Sequence, residues 1–328
     1  MTDLCSRAAA VSAYGPLGLG SANAGNLYSA ISDEQAHDLF AAAWAGGIRH
    51  FDTAPHYGLG LAEERLGAFL QTVPREEFVV STKVGRRLED NPDFAGERDP
   101  CDQFDAPATR RRVVDYSAGG IGRSLDESLA RMGLDRVDTL YVHDPEQHGP
   151  ENTVPILESA MPAVCALRDE GVVACVGVGT GSVEAARHAV AIGGIDVLML
   201  AGRYTLLEQP AHPELLEACR DQGVGIVNTA QFNSGLLATP RPGENAHYEY
   251  SAAPAEKLER AVRLAEVCER HGVELPTAAL QFGLQNPQVV AVVMGAATAE
   301  QVRENIARIH QPVPAALWAE LRQEGLIP

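Results

Sequence analysis

Two patterns of apolar positions take turns along this chain. Short unbroken apolar runs fall at 16–20, 48–52, 78–83, 137–143, 172–178, 197–200, 224–227 and 289–293. Runs of this kind suit strands buried on both faces. Between them lie longer stretches in which apolar residues return once per helical turn. These predict helices over 33–45, 61–70, 116–132, 153–170, 182–192, 213–222, 255–271, 276–284 and from 298 onward. Ser32 and Gln35 form a capping box at the start of one helix, and Gly46 and Gly47 close it. Residues 85–115, charged and Pro-containing, read as a long loop, and 237–253 as a polar loop.

About eight strand–helix units make an α/β protein with a parallel sheet. Two architectures fit: a closed (β/α)8 TIM barrel and an open, doubly wound sheet. A doubly wound nucleotide binder should carry G-x-G-x-x-G after its first strand. The glycine clusters here, Gly18-Leu-Gly20, Gly58-Leu-Gly60 and Gly177-Val-Gly179-Thr-Gly181, lack the third glycine at that offset. The barrel is therefore expected, as one domain over 1–328 with a helical tail near 314–324. A length of 328 residues suits it.

Composition narrows the class. With 45% hydrophobic and 21% charged residues the chain is globular, and no apolar run approaches the length of a membrane span. Asp3 and the lack of a long apolar segment near the N-terminus argue against a secretory signal, so a cytoplasmic protein is expected. A net charge of −18 disfavours nucleic acid and anionic membranes, since phosphate contacts need clustered Lys and Arg. The six cysteines form no C-x-x-C pair, and no metal site is expected. Cys165, Cys175, Cys219 and Cys268 sit in apolar stretches and read as small buried hydrophobes in a reducing compartment.

Lysine is scarce: only Lys83 and Lys257 occur, against 24 arginines. Lys257 falls on a polar helix face. Lys83 ends the apolar run FVVSTK, where an ammonium is partly desolvated and can do what a planar guanidinium cannot. In a barrel, chemistry gathers at the C-terminal ends of strands. Asp52 ends the second strand and is followed by TAPHYG with Tyr57; Lys83 ends the third; His143 ends the fourth. A nearby ammonium favours a phenolate, a carboxylate holds the ammonium, and a neutral imidazole can bond a reacting oxygen. Each has a plainer reading: Asp52 can cap a turn, Tyr57 can be a half-buried aromatic, Lys83 can form a structural pair, and His143 can be a satisfied core histidine. Their convergence at neighbouring strand ends favours catalysis.

With these residues in view, the chain resembles the aldo-keto reductase family. The resemblance rests on GIRHFDTAPHYGLGLAEERLG at 47–67, STKVG at 81–85, RSLDESLARMGLDRVDTLYVHDPE at 123–146, NSGLL at 233–237 and MGAATAEQVREN at 294–305, and spans roughly 15–310. It implies Tyr57 as proton donor or acceptor with Lys83, Asp52 and His143. It also implies a nicotinamide cofactor bound across the barrel mouth without a Rossmann fold. Cofactor contacts are expected from Gly20, Asp52, Thr180, Phe232, Ser234, Gly235, Leu236, Gly295, Gln301 and Asn305, and substrate contacts from Asn26, Tyr28, His56, Tyr57, His143 and Asp144. The stretches GNLYSAISDEQA, FDTAPHYGLGL, LAGRYTLLEQ and FNSGLL resemble the sugar-oxidising branch. That implies oxidation of an aldose at its anomeric carbon to the lactone, by a monomer or homodimer.

The chain departs from the family in two places. Thr229 stands where many members stack a tyrosine on the nicotinamide, with Phe232 nearby, and Ala201 stands where many place an amide. The 295–301 stretch lacks the cations that NADP-preferring members use for the 2′-phosphate, so NAD is expected, with NADP possible. The alternatives are reduction of aldehydes or ketones, pyridoxal oxidation, a nicotinamide-binding regulatory subunit, and a Schiff-base lyase using Lys83.

Overall fold

The eight apolar runs close into a barrel. A computed structural model describes residues 6–101, 103–243, 246–249 and 251–328. In chain order the strands are β1 (Leu17–Gly20), β2 (His50–Asp52), β3 (Val79–Val84), β4 (Arg86–Asp90), β5 (Arg110–Val114), β6 (Thr139–His143), β7 (Cys175–Thr180), β8 (Val197–Ala201), β9 (Gly225–Thr229), β10 (His247–Tyr248), β11 (Ser251–Ala252) and β12 (Val289–Met294). Strands β1, β2, β3, β6, β7, β8, β9 and β12 are parallel neighbours in that order, and β12 pairs with β1 to close the ring. The fold is a (β/α)8 barrel, with every strand's C-terminal end on one face.

The helices are α1 (Ser6–Val11), α2 (Asp33–Ala45), α3 (Leu61–Leu70), α4 (Ala118–Met132), α5 (Pro150–Asp169), α6 (Val183–Ile192), α7 (Glu214–Asp221), α8 (Ala255–Arg270), α9 (Leu275–Phe282), α10 (Ala299–His310) and α11 (Ala315–Gln323). The capping box forms: the Ser32 hydroxyl accepts from the Gln35 amide and Gln35 returns to the Ser32 amide. One core layer lies between strands and helices. A second fills the barrel with Tyr141, Cys175, Val197, Met199, Val227 and Ala291, sealed below by Ala8 and Val11 of α1.

Three features differ from the sequence expectation. The 85–115 segment is not a plain loop: β4 and β5 pair as an antiparallel hairpin on the catalytic side. Its strands are mostly charged, RRLED and RRRVV, which hides the two-residue alternation. Those charges are satisfied within reach, as where Arg87 binds Glu89 at 2.7 Å and Glu127 at 3.1 Å. The 237–253 segment holds the small hairpin β10–β11, and α1 precedes the barrel. Cys165 is half-buried and donates to the Gly194 carbonyl, whereas Cys175, Cys219 and Cys268 are buried. Lys257 pairs with Glu208 at 2.6 Å.

Candidate active site

Asp52 and His143 end β2 and β6, and Lys83 is the last residue but one of β3; the three strands are neighbours in the ring, so their side chains meet at the barrel mouth. Tyr57 comes from the turn after β2. Its position depends on Gly58, at φ +62°, and Gly25, which approach so closely that a methyl on either would strike the other loop's backbone. Glycine alone permits both the left-handed angle and the contact. Gly85, at φ +105°, plays a like part for His143. A side chain there would run into the Tyr116 ring, whose hydroxyl donates to the His143 carbonyl at 2.6 Å.

The ammonium is fully engaged. Lys83 Nζ donates to Asp52 Oδ2 at 2.7 Å and to the Thr53 carbonyl at 2.9 Å, and the other carboxylate oxygen accepts from Ser81 Oγ at 2.7 Å. Lys83 and Asp52 are 2% and 3% exposed, so the pair is screened from water. Nζ also lies 4.8 Å from the centre of the Tyr57 ring. Burial works against the Lys83 charge, but Asp52 and Tyr57 outweigh it and the ammonium is held above its ordinary pKa.

Tyr57 shows a balance that the sequence did not reveal. Burial raises its pKa, Lys83 lowers it and the Asp52 and Asp144 carboxylates raise it again, so the phenol sits above its ordinary value. Burial, followed by the charges of Arg86 and Lys83, drives His143 well below its ordinary value, so its imidazole is neutral. Burial raises Asp144 to about 6 although Arg86 opposes it. These groups face one cavity of about 590 Å³.

The structure brings some expected residues to that cavity and leaves others outside. His56, Tyr57, His143, Asp144, Thr180 and Ser234 line it. Asn26 is buried, and its side chain is used up by the Ile31 amide, Arg65 and the Asp105 carbonyl. Tyr28 is 56% exposed. Phe232 and Leu236 pack on the core. Gly20 ends β1, and Gly235 turns the chain at φ +96°. Gly295 follows β12; in α10, Gln301 accepts from the Ala297 amide and buried Asn305 accepts from Arg308. Sequence reasoning missed Arg86, Arg112 and Phe104, all from the hairpin segment. Arg86 binds Asp144 at 3.2 Å, and the Phe104 ring stacks on Tyr57 with centroids 6.0 Å apart.

The rest of the cavity has a lining that suits the nicotinamide cofactor implied by the resemblance. Thr180, Thr229, Asn233 and Ser234 line it beside the close backbone of Gly181 and Gly202. Asn233 is 5% exposed and its Oδ1 is buried with no partner. A ligand rich in hydroxyls and amides would satisfy that oxygen.

A phenol, an ammonium and a neutral imidazole around one open cavity make a site for moving a proton on and off an alcohol or carbonyl oxygen. The aldo/keto reductase family matches residues 16–324, and the chain belongs to it. A D-threo-aldose 1-dehydrogenase from a Pseudomonas species is 49% identical over 98% of this chain and 97% of its own length. A pyridoxal 4-dehydrogenase from Microbacterium luteolum is 37% identical over 95% and 94%. A holo-form aldo-keto reductase from Bacillus halodurans shares the fold, at a TM-score of 0.73 with 22% identity over 95% and 92% of the two chains. No described helix is long and apolar enough to cross a membrane.

Proposed function

We propose that this chain is a nicotinamide-dependent aldose 1-dehydrogenase that oxidises the anomeric hydroxyl of an aldose to the lactone and prefers NAD. The observation that carries this reading is the end-to-end likeness to a dehydrogenase named for that reaction. The chemistry of the cavity supports it. Tyr57 takes the proton of the anomeric hydroxyl through its phenolic oxygen. The Lys83 charge lowers the cost of the phenolate, and Asp52, Ser81 and the Thr53 carbonyl keep that charge in place. His143, held neutral, donates to the reacting oxygen and fixes its direction. The cofactor, when bound, supplies the acceptor for the hydride that leaves C1.

Thr180, Asn233 and Ser234 would hold the cofactor near the reacting carbon, and the 295–305 stretch would hold its far end. The NAD preference is supported by the charge there. The first turn of α10 carries Glu300, and Gln301 spends its carbonyl oxygen on the Ala297 amide. A 2′-phosphate held by residues 295–301 would meet the Glu300 carboxylate, and that stretch carries no lysine or arginine of its own.

The test is an initial-rate panel with NAD and L-fucose, L-galactose, D-arabinose, L-glucose or pyridoxal, set against NADPH with an aromatic aldehyde. Lactone formation from one or more of the sugars at the highest kcat/KM is expected. Fastest turnover of pyridoxal, or of the aldehyde with NADPH, would overturn the aldose reading.

A further inference from the structure

His56 is gripped in a way its packing does not require. The Arg112 guanidinium has two donor edges, and both are occupied. One edge meets Asp99, with Nη1 at 2.5 Å from Oδ1 and Nη2 at 2.6 Å from Oδ2. The other meets His56, with Nε donating to Nδ1 at 2.7 Å and Nη2 to the backbone carbonyl at 2.8 Å. Asp99 is 5% exposed and also accepts from the Cys101 amide at 3.0 Å. A guanidinium always donates, so the nitrogen it points at must be a bare acceptor. The neutral ring can then carry hydrogen only on Nε2.

We propose that Asp99 and Arg112 lock His56 as a donor-only group that bonds the sugar hydroxyl next to the reacting carbon. The substrate half of this rests on the aldose reading above. The His56 ring lies edge-on to His143 at 5.7 Å and to Phe104 at 5.5 Å, and 6.2 Å from Tyr57, within the cavity wall. Tyr57 and His143 flank the reacting oxygen. An oxygen within reach of His56 is therefore a close neighbour of it; in a cyclic aldose these are the ring oxygen and the hydroxyl on C2, and the 2-deoxy sugar below tells the two apart. Among the described residues no hydrogen bond engages His56 Nε2. Burial and then the charges of Arg112, Arg86 and Lys83 press the ring down to about 2, so it stays neutral and the donor is constant. A buried ion pair is a poor source of stability but a good means of fixing orientation. An apolar side chain at position 56 would pack against these rings without needing Asp99 or Arg112.

The experiment has two readouts. Nitrogen NMR of histidine-labelled protein, with the His56 signal assigned by its loss in His56→Leu, should show a bare Nδ1 and a protonated Nε2 throughout about pH 6 to 9. Arg112→Met should release the ring into a mixture of tautomers, with thermal unfolding followed to confirm a folded protein. In steady-state assays with NAD, His56→Leu should raise KM for L-fucose roughly three- to tenfold, the loss falling on KM and not kcat. KM for 2-deoxy-L-fucose should stay the same. A hydrogen on Nδ1, or an equal rise in KM for both sugars, would overturn the proposal. If the unsubstituted enzyme oxidises no sugar, the aldose reading fails and the sugar contact with it. The nitrogen spectra need no substrate and decide the lock by themselves.

Discussion

The Lys83 ammonium sits 4.8 Å from the centre of the Tyr57 ring, both at the rim where β2 and β3 end. It pulls the phenol toward ionisation, yet burial holds the phenol protonated. In the proposed mechanism Tyr57 is therefore a proton carrier whose ionisation comes at some cost. Tyr57→Phe keeps the ring and its stack on Phe104 but removes the transferable proton. Turnover should fall by about 10²- to 10⁴-fold, the usual share of a positioned acid or base. Cofactor affinity, read by fluorescence titration, should stay within a few-fold. Near-normal turnover would take Tyr57 out of the mechanism.

The direction of the Tyr57 shift sets the pH behaviour. Its folded pKa lies above the ordinary tyrosine value, so the phenolate is scarce at neutral pH and grows about tenfold per unit as pH rises. Oxidation needs the phenolate, so its kcat/KM should climb through the neutral and mildly alkaline range. Reduction needs the phenol, so its kcat/KM should be flat there and drop only once pH passes the pKa. Parallel pH profiles in both directions check this. An oxidation profile already flat above neutrality would show that another group carries the proton.

The Lys83–Asp52 pair is a buried ion pair, and breaking it from one side should be costly. Lys83→Met leaves the Asp52 carboxylate, whose side chain is 5% exposed, without its partner. The expected loss is about 3–5 kcal/mol in folding stability. Lys83→Met with Asp52→Asn should recover much of the loss while remaining inactive. Urea unfolding, as a double-mutant cycle, separates structural from catalytic effects. A double variant no more stable than the single one would refute this account of the pair.

How far the sequence was legible depends on where each residue sits. Asp52, Lys83 and His143 could be read because each ends a short apolar run, and one rule of barrel architecture then brings them together. The Asp99–Arg112–His56 array could not. Its members lie 43 and 13 residues apart in the sequence and meet only because β4 pairs with β5. That pairing has no apolar alternation to announce it, since RRLED and RRRVV are mostly charged. Asn26 is hard to read for the opposite reason. Polar residues in a loop at the barrel mouth look like substrate contacts, but Asn26 spends its amide holding that loop in shape. The pKa of Tyr57 depends on burial and the Asp52 and Asp144 carboxylates set against the Lys83 charge, and only the folded packing fixes the outcome.

Cofactor preference can be tested at Gln301, which sits in the first turn of α10 and bonds the Ala297 amide at 2.8 Å. If the cofactor's adenosine ribose lies there, the present side chains favour a free 2′-hydroxyl. Gln301→Arg would place a bidentate cation where a 2′-phosphate needs one, and it would free the Ala297 amide as a further donor. The ratio of kcat/KM for NADP to that for NAD should rise about tenfold or more, one charge-assisted contact of 1.5–3 kcal/mol. The change should fall mainly on KM for the cofactor, because position 301 is remote from the reacting carbon. Adding Glu300→Gln should increase the ratio again by removing a like charge. An unchanged ratio in both variants would mean that the adenosine end lies elsewhere and that the charge at this helix terminus does not select the cofactor.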